Sequence, residues 1–147
     1  MGDESDCMRI LGLDVGDRRI GVALSDPLGL TAQPVTTVER RDATADVAAI
    51  EALVERHHVE LVVVGLPLTM RGEQGPQANK VVAFTERLRR RLAIPVHLLD
   101  ERLTTMQGAR SLLETGTSSR KRRQVIDQVE AQLILQQFLE THRHQTR

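Results

Sequence analysis

Aromatic side chains are nearly missing from this 147-residue sequence: Phe84 and Phe138 are the only two, with no Trp and no Tyr. That scarcity speaks against a binder that stacks unpaired bases on aromatic platforms. There is one cysteine, Cys7, which rules out an internal disulfide framework and a cysteine-based zinc centre. Cys7 reads either as a small apolar residue entering the first strand or as a thiol open to oxidation or an intermolecular disulfide. Net charge is missing too, since 20 basic and 20 acidic residues cancel to +0. Bulk charge announces no nucleic-acid partner, so any such contact must use local basic clusters, through phosphates and shape. No apolar run reaches the roughly 18 residues of a membrane span, so no membrane partner is expected. The first residues carry Asp3, Glu4 and Asp6, the wrong charge for a signal or transit peptide, and the expected location is cytoplasmic.

What is present is an ordinary globular balance, 40% hydrophobic and 27% charged. The length suits one domain over 1–147, with 1–7 flexible and one good core. Residues 8–15 and 19–25 have strand patterns separated by the turn signal Gly16-Asp17, which predicts a hairpin. Residues 31–38 predict a third strand, and Pro34 places it at an edge. Asp42 or Thr44 caps a helix on which Val47, Ile50 and Val54 recur at helical spacing. The apolar run 60–64 suits a buried parallel strand. A long loop from Gly65 to Gly75 suggests a functional rim. Ala78, Val81, Thr85, Leu88 and Leu92 mark a second helix, and Pro95 to Leu99 another strand. Thr104 and Gln107 have capping-box spacing for a third helix, which Gly116 ends. Residues 117–123 read as a mobile basic loop, followed by a final helix from about Gln124 to His142. The expected fold is α/β: a mixed five-stranded sheet, an antiparallel three-strand meander plus parallel strands, with helices on both faces.

Three carboxylates stand out against this background. Asp14 follows Leu11, Gly12 and Leu13 in a strand expected to be central, where an unpaired carboxylate is costly. Its plain alternative is a turn aspartate capping the hairpin. Asp100-Glu101-Arg102 falls where a parallel strand ends, the edge at which α/β sheets gather ligands. Neighbours on a strand point to opposite faces, so Asp100 and Glu101 should not both reach one site. Arg102 is placed to pair with either acid or to contact a phosphate. Asp127 shares a helix face with Ala131, Ile134 and Phe138; its alternative role is to complement the helix dipole. Glu130 lies on nearly the same side. Hard oxygen ligands of this kind suit Mg²⁺ or Mn²⁺ and phosphodiester cleavage.

Two basic clusters differ in position. Arg87, Arg89, Arg90 and Arg91 lie near a helix C-terminus, where cations are favoured anyway, and read as a solvated face. Arg120, Lys121, Arg122 and Arg123 lie just before Asp127, so they are read as contacts to substrate phosphates. His57, His58, His97, His142 and His144 have no metal-ligand spacing and read as structural or exposed.

Four motifs carry a resemblance. Leu13-Asp14-Val15-Gly16 with Arg19-Ile20-Gly21-Val22-Ala23 resembles the opening motif of the YqgF or RuvX family of pre-16S rRNA nucleases, also described as Holliday junction resolvases. Val64-Gly65-Leu66-Pro67-Leu68, with Met70 and Gly72, resembles its central loop. Asp100-Glu101-Arg102-Leu103-Thr104-Thr105 resembles its Asp-Glu-Arg motif, and Arg120 to Arg123 with Ile126-Asp127 its closing segment. The motifs run in order from about Met8 to Leu139. The resemblance implies a ribonuclease H-like fold, divalent-metal hydrolysis of phosphodiesters, and processing of the 5′ end of small-subunit rRNA precursor in the cytoplasm. It implies Asp14, Glu101 and Asp127 as catalytic metal ligands on Mg²⁺ or Mn²⁺, and Arg19, Arg102 and Arg120 to Arg123 as substrate contacts. The family usually has small residues after the closing aspartate, whereas Val129 and Glu130 stand here, and Glu130 is left open as a fourth ligand.

Other functions share parts of this pattern. A four-way DNA junction resolvase uses the same chemistry but cuts two strands symmetrically and needs a two-fold dimer, so the chain is expected as monomer or homodimer. The Asp-x-Gly hairpin also opens actin-like and sugar-kinase ATPases, which need a second such domain and a second phosphate loop. A catalytically silent regulatory domain of the same fold is disfavoured by the retention of all three acids.

Overall fold

Valine is the commonest residue in the segments that become strands, and β-branched side chains favour the pleated backbone. In the computed structural model they form β1 (Ile10–Val15), β2 (Arg19–Ser25), β3 (Ala32–Glu39), β4 (Leu61–Leu66) and β5 (Val96–Asp100). The helices are α1 (Ala43–Arg56), α2 (Pro76–Arg91) and α3 (Ser119–Gln145). The structure describes residues 8–101 and 119–145, with side chains at 8–101 and 126–142. Cys7 and the rest of 1–7, Arg102, and the helix expected from Thr104 to Gly116 lie outside the described residues.

The five strands form one sheet in the order β3-β2-β1-β4-β5. β1 pairs antiparallel with β2, and β2 with β3; β1 pairs parallel with β4, and β4 with β5. The expected fold class is therefore observed, a mixed sheet with a meander on one flank and parallel strands on the other. Pro34 sits on edge strand β3, beside a register shift at Val22/Ala23. The hairpin turn closes with the Gly16 N–H donating to the Arg19 carbonyl at 2.9 Å. The Asp42 side chain accepts from the Ala45 N–H and caps α1, as its position before the helix suggests.

The last helix differs from expectation. It begins at Ser119, so Arg120 to Arg123 are helical rather than part of a mobile loop. Arg and Lys are good helix formers, so a basic run does not by itself interrupt a helix. Their polarity suggested a loop; their propensity favoured the helix.

Alternation along the strands sorts the core into two layers. Leu11, Leu13, Val15, Ile20, Val22, Val62 and Val64 pack against Val47 and Ile50 of α1 and Val81, Phe84 and Leu88 of α2. Ile10, Ala23, Leu61 and Val63 face the other way, against Ala131, Ile134, Leu135, Phe138 and Leu139 of α3. A row of glutamines fastens α3 to the edge strand. Gln128 Nε2 donates to Thr37 Oγ1 at 3.2 Å, Gln132 Nε2 to the Ala32 carbonyl at 3.0 Å, and Gln136 Oε1 accepts from the Ala32 N–H at 3.0 Å. Among the described residues no helix is long and apolar enough to cross a membrane.

Candidate active site

Glycines on neighbouring strands let α3 come down onto the sheet. A side chain at Gly12 would lie 2.8 Å from Leu135 Cβ. One at Gly21 would overlap the Asp127 carbonyl, and one at Gly65 the Ile134 side chain. Register then decides which carboxylates meet. Asp14 on β1 pairs directly with Gly21 on β2, the residue over which Asp127 is seated. On its other side, one residue past the pair Leu13–Val64, is Gly65. The vacant space at Gly65 is bounded by Glu101, whose Cγ would be 3.0 Å from an added Cβ. Asp14 is thus flanked by glycines on both neighbouring strands, and acids from elsewhere in the chain fill the room they leave.

Carboxylate oxygens of Asp14, Asp127 and Glu130 all lie within 4.8 Å of one another. Glu130 is buried, three residues along α3 from Asp127 and on the same side of the helix. The acid left open as a fourth ligand is therefore in the tight group. Glu101 stands outside that group but close enough to repel Asp14 electrostatically. The strand alternation that separates Asp100 from Glu101 is visible in β5. Val96 and Leu98 pack on the α1/α2 layer and Leu99 on the α3 layer, which puts Glu101 on the α3 side and Asp100 on the other.

Burial pushes the Asp14 carboxyl well above its ordinary value of 3.8. A hydrogen bond with Glu130 and the charges of Glu130, Glu101 and Asp127 push it the same way. Arg19 partly offsets this crowding: its Nε is 2.6 Å from Asp127 Oδ2. The two residues line an open depression of about 480 Å³ together with Gly16, Asp17 and Arg18. Asp17 is in turn paired with Lys80 of α2 at 3.3 Å. The structure thus places Arg19 at the acids, and Arg120 to Arg123 on the first turns of the helix that carries Asp127 and Glu130. Of the histidines, His97 and His142 flank the Phe138 ring on α3, and His57 follows the last turn of α1.

The oxygen-only donor set fits a hard divalent cation, whose ligand oxygens lie about 2.0–2.6 Å from the ion. Mutual repulsion at Asp14 is the strain that such a cation relieves. Sequence reasoning missed the role of Gly21 and Gly65. A glycine inside a strand marks close approach by another backbone, and that signal was available.

These features define a class, a ribonuclease H-like α/β domain with carboxylates gathered at the end of its first strand. Within that class, the chain belongs to the RuvX family: the family described as Holliday junction resolvase matches residues 8–141. Similar proteins include one from Moorella thermoacetica named "Putative pre-16S rRNA nuclease", 58% identical over 133 residues, covering 90% of this chain and 95% of that one. A protein of the same name from Myxococcus xanthus is 51% identical over 136 residues, covering 92% of this chain and 90% of that one. Among solved structures, Thermus thermophilus RuvC in complex with Holliday junction substrate shares the fold, with a TM-score of 0.63 at 16% identity over 95% of this chain and 97% of that one. The fowlpox virus Holliday junction resolvase shares it at a TM-score of 0.53 and 11% identity, over 91% of this chain and 99% of that one.

Proposed function

We propose that this protein is a divalent-metal-dependent nuclease that processes the 5′ end of pre-16S rRNA during ribosome biogenesis in the cytoplasm. The observation that carries the metal-dependent chemistry is the convergence of Asp14, Asp127 and Glu130 oxygens within 4.8 Å, beside a depression open to solvent. The choice of RNA is supported by the name shared by its relatives.

Asp14, Asp127 and Glu130 would hold Mg²⁺ or Mn²⁺, with Glu101 at its margin. When bound, the ion supplies a water made acidic enough to attack a phosphodiester and charge to stabilise the leaving oxygen. The chain's own residues do the rest. Asp14 is fixed by β1 in the sheet, so its carboxylate has little freedom to wander. Arg19 holds the Asp127 carboxylate in a set direction. Arg18, exposed at the mouth of the depression, meets the incoming phosphate backbone. Arg102 and the α3 residues Arg120, Lys121, Arg122 and Arg123 extend that phosphate contact.

A second reading, a Holliday junction resolvase, is favoured by the family's own description. The test is a side-by-side assay of pure protein with Mg²⁺ or Mn²⁺ on precursor rRNA and on a four-way DNA junction. Faster, site-specific cleavage of the RNA is expected. Preference for the junction, with symmetric cuts by a dimer, overturns the RNA reading. No metal-dependent cleavage of either overturns both.

A further inference from the structure

Arg40 and Asp46 belong to the layer of α1 and α2, on the far side of the sheet from the acids. Asp46, in the first turn of α1, is 2% exposed. Its carboxylate accepts from Arg40 Nε at 2.8 Å and from the Arg41 N–H at 3.0 Å. The Arg40 guanidinium lies 5.1 Å from the centre of the Phe84 ring on α2. Arg40 also reaches the hairpin turn twice. Nη1 donates to the Gly16 carbonyl at 2.7 Å, and its backbone N–H donates to the Arg18 carbonyl at 2.8 Å. One residue therefore grips two carbonyls of the four-residue turn that begins two positions after Asp14. From the same turn the Arg19 side chain leaves on the opposite side and holds Asp127.

The links form a series: Asp46, Arg40, the Gly16–Arg19 turn, Arg19, Asp127. A buried ion pair contributes little net stability compared with apolar residues of the same volume. What a planar guanidinium does that other side chains do not is hold a carboxylate and a carbonyl in fixed directions at once. We propose that Arg40 and Asp46 are positioning residues, a brace that sets the β1–β2 turn and through Arg19 the orientation of Asp127. The proposal deepens the metal-site reading and rests on it for the purpose of the alignment. The magnitude at stake is large, because a misplacement of about 1 Å at a reacting centre costs about a hundredfold in rate.

The test compares R40K, which keeps the charge but loses the fork, with R19Q and the R40K/R19Q double variant. Three quantities are read: amide exchange at Gly16, the Asp127 carboxyl carbon shift, and Mn²⁺ affinity by calorimetry. R40K is expected to keep wild-type protection in α1 and α2 while Gly16 exchanges on the order of tenfold faster. The Asp127 signal moves in R40K as it does in R19Q. Mn²⁺ affinity changes in the same direction in both, by about threefold or more, and the double variant goes no further than R19Q alone. Unchanged Gly16 exchange, an unmoved Asp127 signal, or additive effects in the double variant overturn the brace. If R40K disturbs α1, D46N is read by the same criteria. A wild-type protein that binds no Mn²⁺ overturns the metal reading instead, and the exchange and carbon-shift results still decide the brace.

Discussion

Toward α1 and α2 the sheet presents Leu11, Leu13, Val15, Ile20, Val22, Val62 and Val64, an unbroken layer of large aliphatic side chains. Toward α3 it presents Ile10, Gly12, Asp14, Gly21, Ala23, Val63 and Gly65. The first face fills space with side chains. The second empties it at three positions, and the backbone of α3 and the acids of distant segments enter. The same two-residue alternation produces both, so one strand can anchor the core and carry a carboxylate of the acidic cluster. The larger apolar cluster is on the face away from the carboxylates. The site is held by close approach on the other.

Substitutions on the two faces should therefore fail differently. Leu13→Ala opens a cavity in the aliphatic layer and should cost about 2–5 kcal/mol in urea unfolding, with the Mn²⁺ affinity of the folded protein unchanged. A parallel loss of metal affinity would mean that the two layers are not separable. Gly21→Ala should cost less, about 1–3 kcal/mol, because α3 must lift from the Asp127 carbonyl. It should nonetheless weaken Mn²⁺ binding and cleavage together, as calorimetry and a rate assay can check. If it costs stability alone, the seating of α3 does not set the site.

The third difference is in pH dependence. The native Asp14 carboxyl holds its proton to a higher pH than the unfolded chain does. Between the ordinary carboxylate value and the raised one, the native state binds more protons, so metal-free stability falls as pH rises. Asp14→Asn should remove that fall while Leu13→Ala keeps it; unfolding midpoints from pH 4 to 8 in chelator decide this. An unaltered pH profile in Asp14→Asn would deny the crowding of the cluster. The smallest effect is expected from single neutralisations among Arg120 to Arg123. Each should weaken substrate binding and reduce the slope of log affinity against log salt by about 0.9 or less. A slope that stays constant when all four are neutralised removes the first turns of α3 from the interface.

Much of this arrangement was readable from residue patterns. Alternation and turn signals located all five strands, and Asp42 with Val47, Ile50 and Val54 located α1. Asp14 was visible because a carboxylate among Leu11, Gly12 and Leu13 breaks an apolar strand. Asp127 was visible because it sits on an apolar helix face. Glu130 was ambiguous, since a change at one helical position reads equally as a surface substitution. Glu130 is buried on a helix that packs closely on the sheet at Gly12 and Gly21, and that closeness is a tertiary fact. Arg40 and Asp46 gave no sequence signal, because an acid in the first turn of a helix is expected for its dipole alone. The start of α3 was misplaced because basic composition suggested a loop where helix propensity prevailed.

The central claim is that the acids on the α3 face form a divalent-metal nuclease site with Asp14 at its centre. The most direct measurement is cleavage of precursor rRNA by wild type and Asp14→Asn, with Mg²⁺ or Mn²⁺ and with chelator, on protein shown to be folded by circular dichroism. The account predicts metal-dependent cleavage by wild type and a loss on the order of 10³–10⁴-fold in a well-folded Asp14→Asn. Wild-type rates from folded Asp14→Asn protein, or cleavage by wild type that persists in chelator, would contradict it.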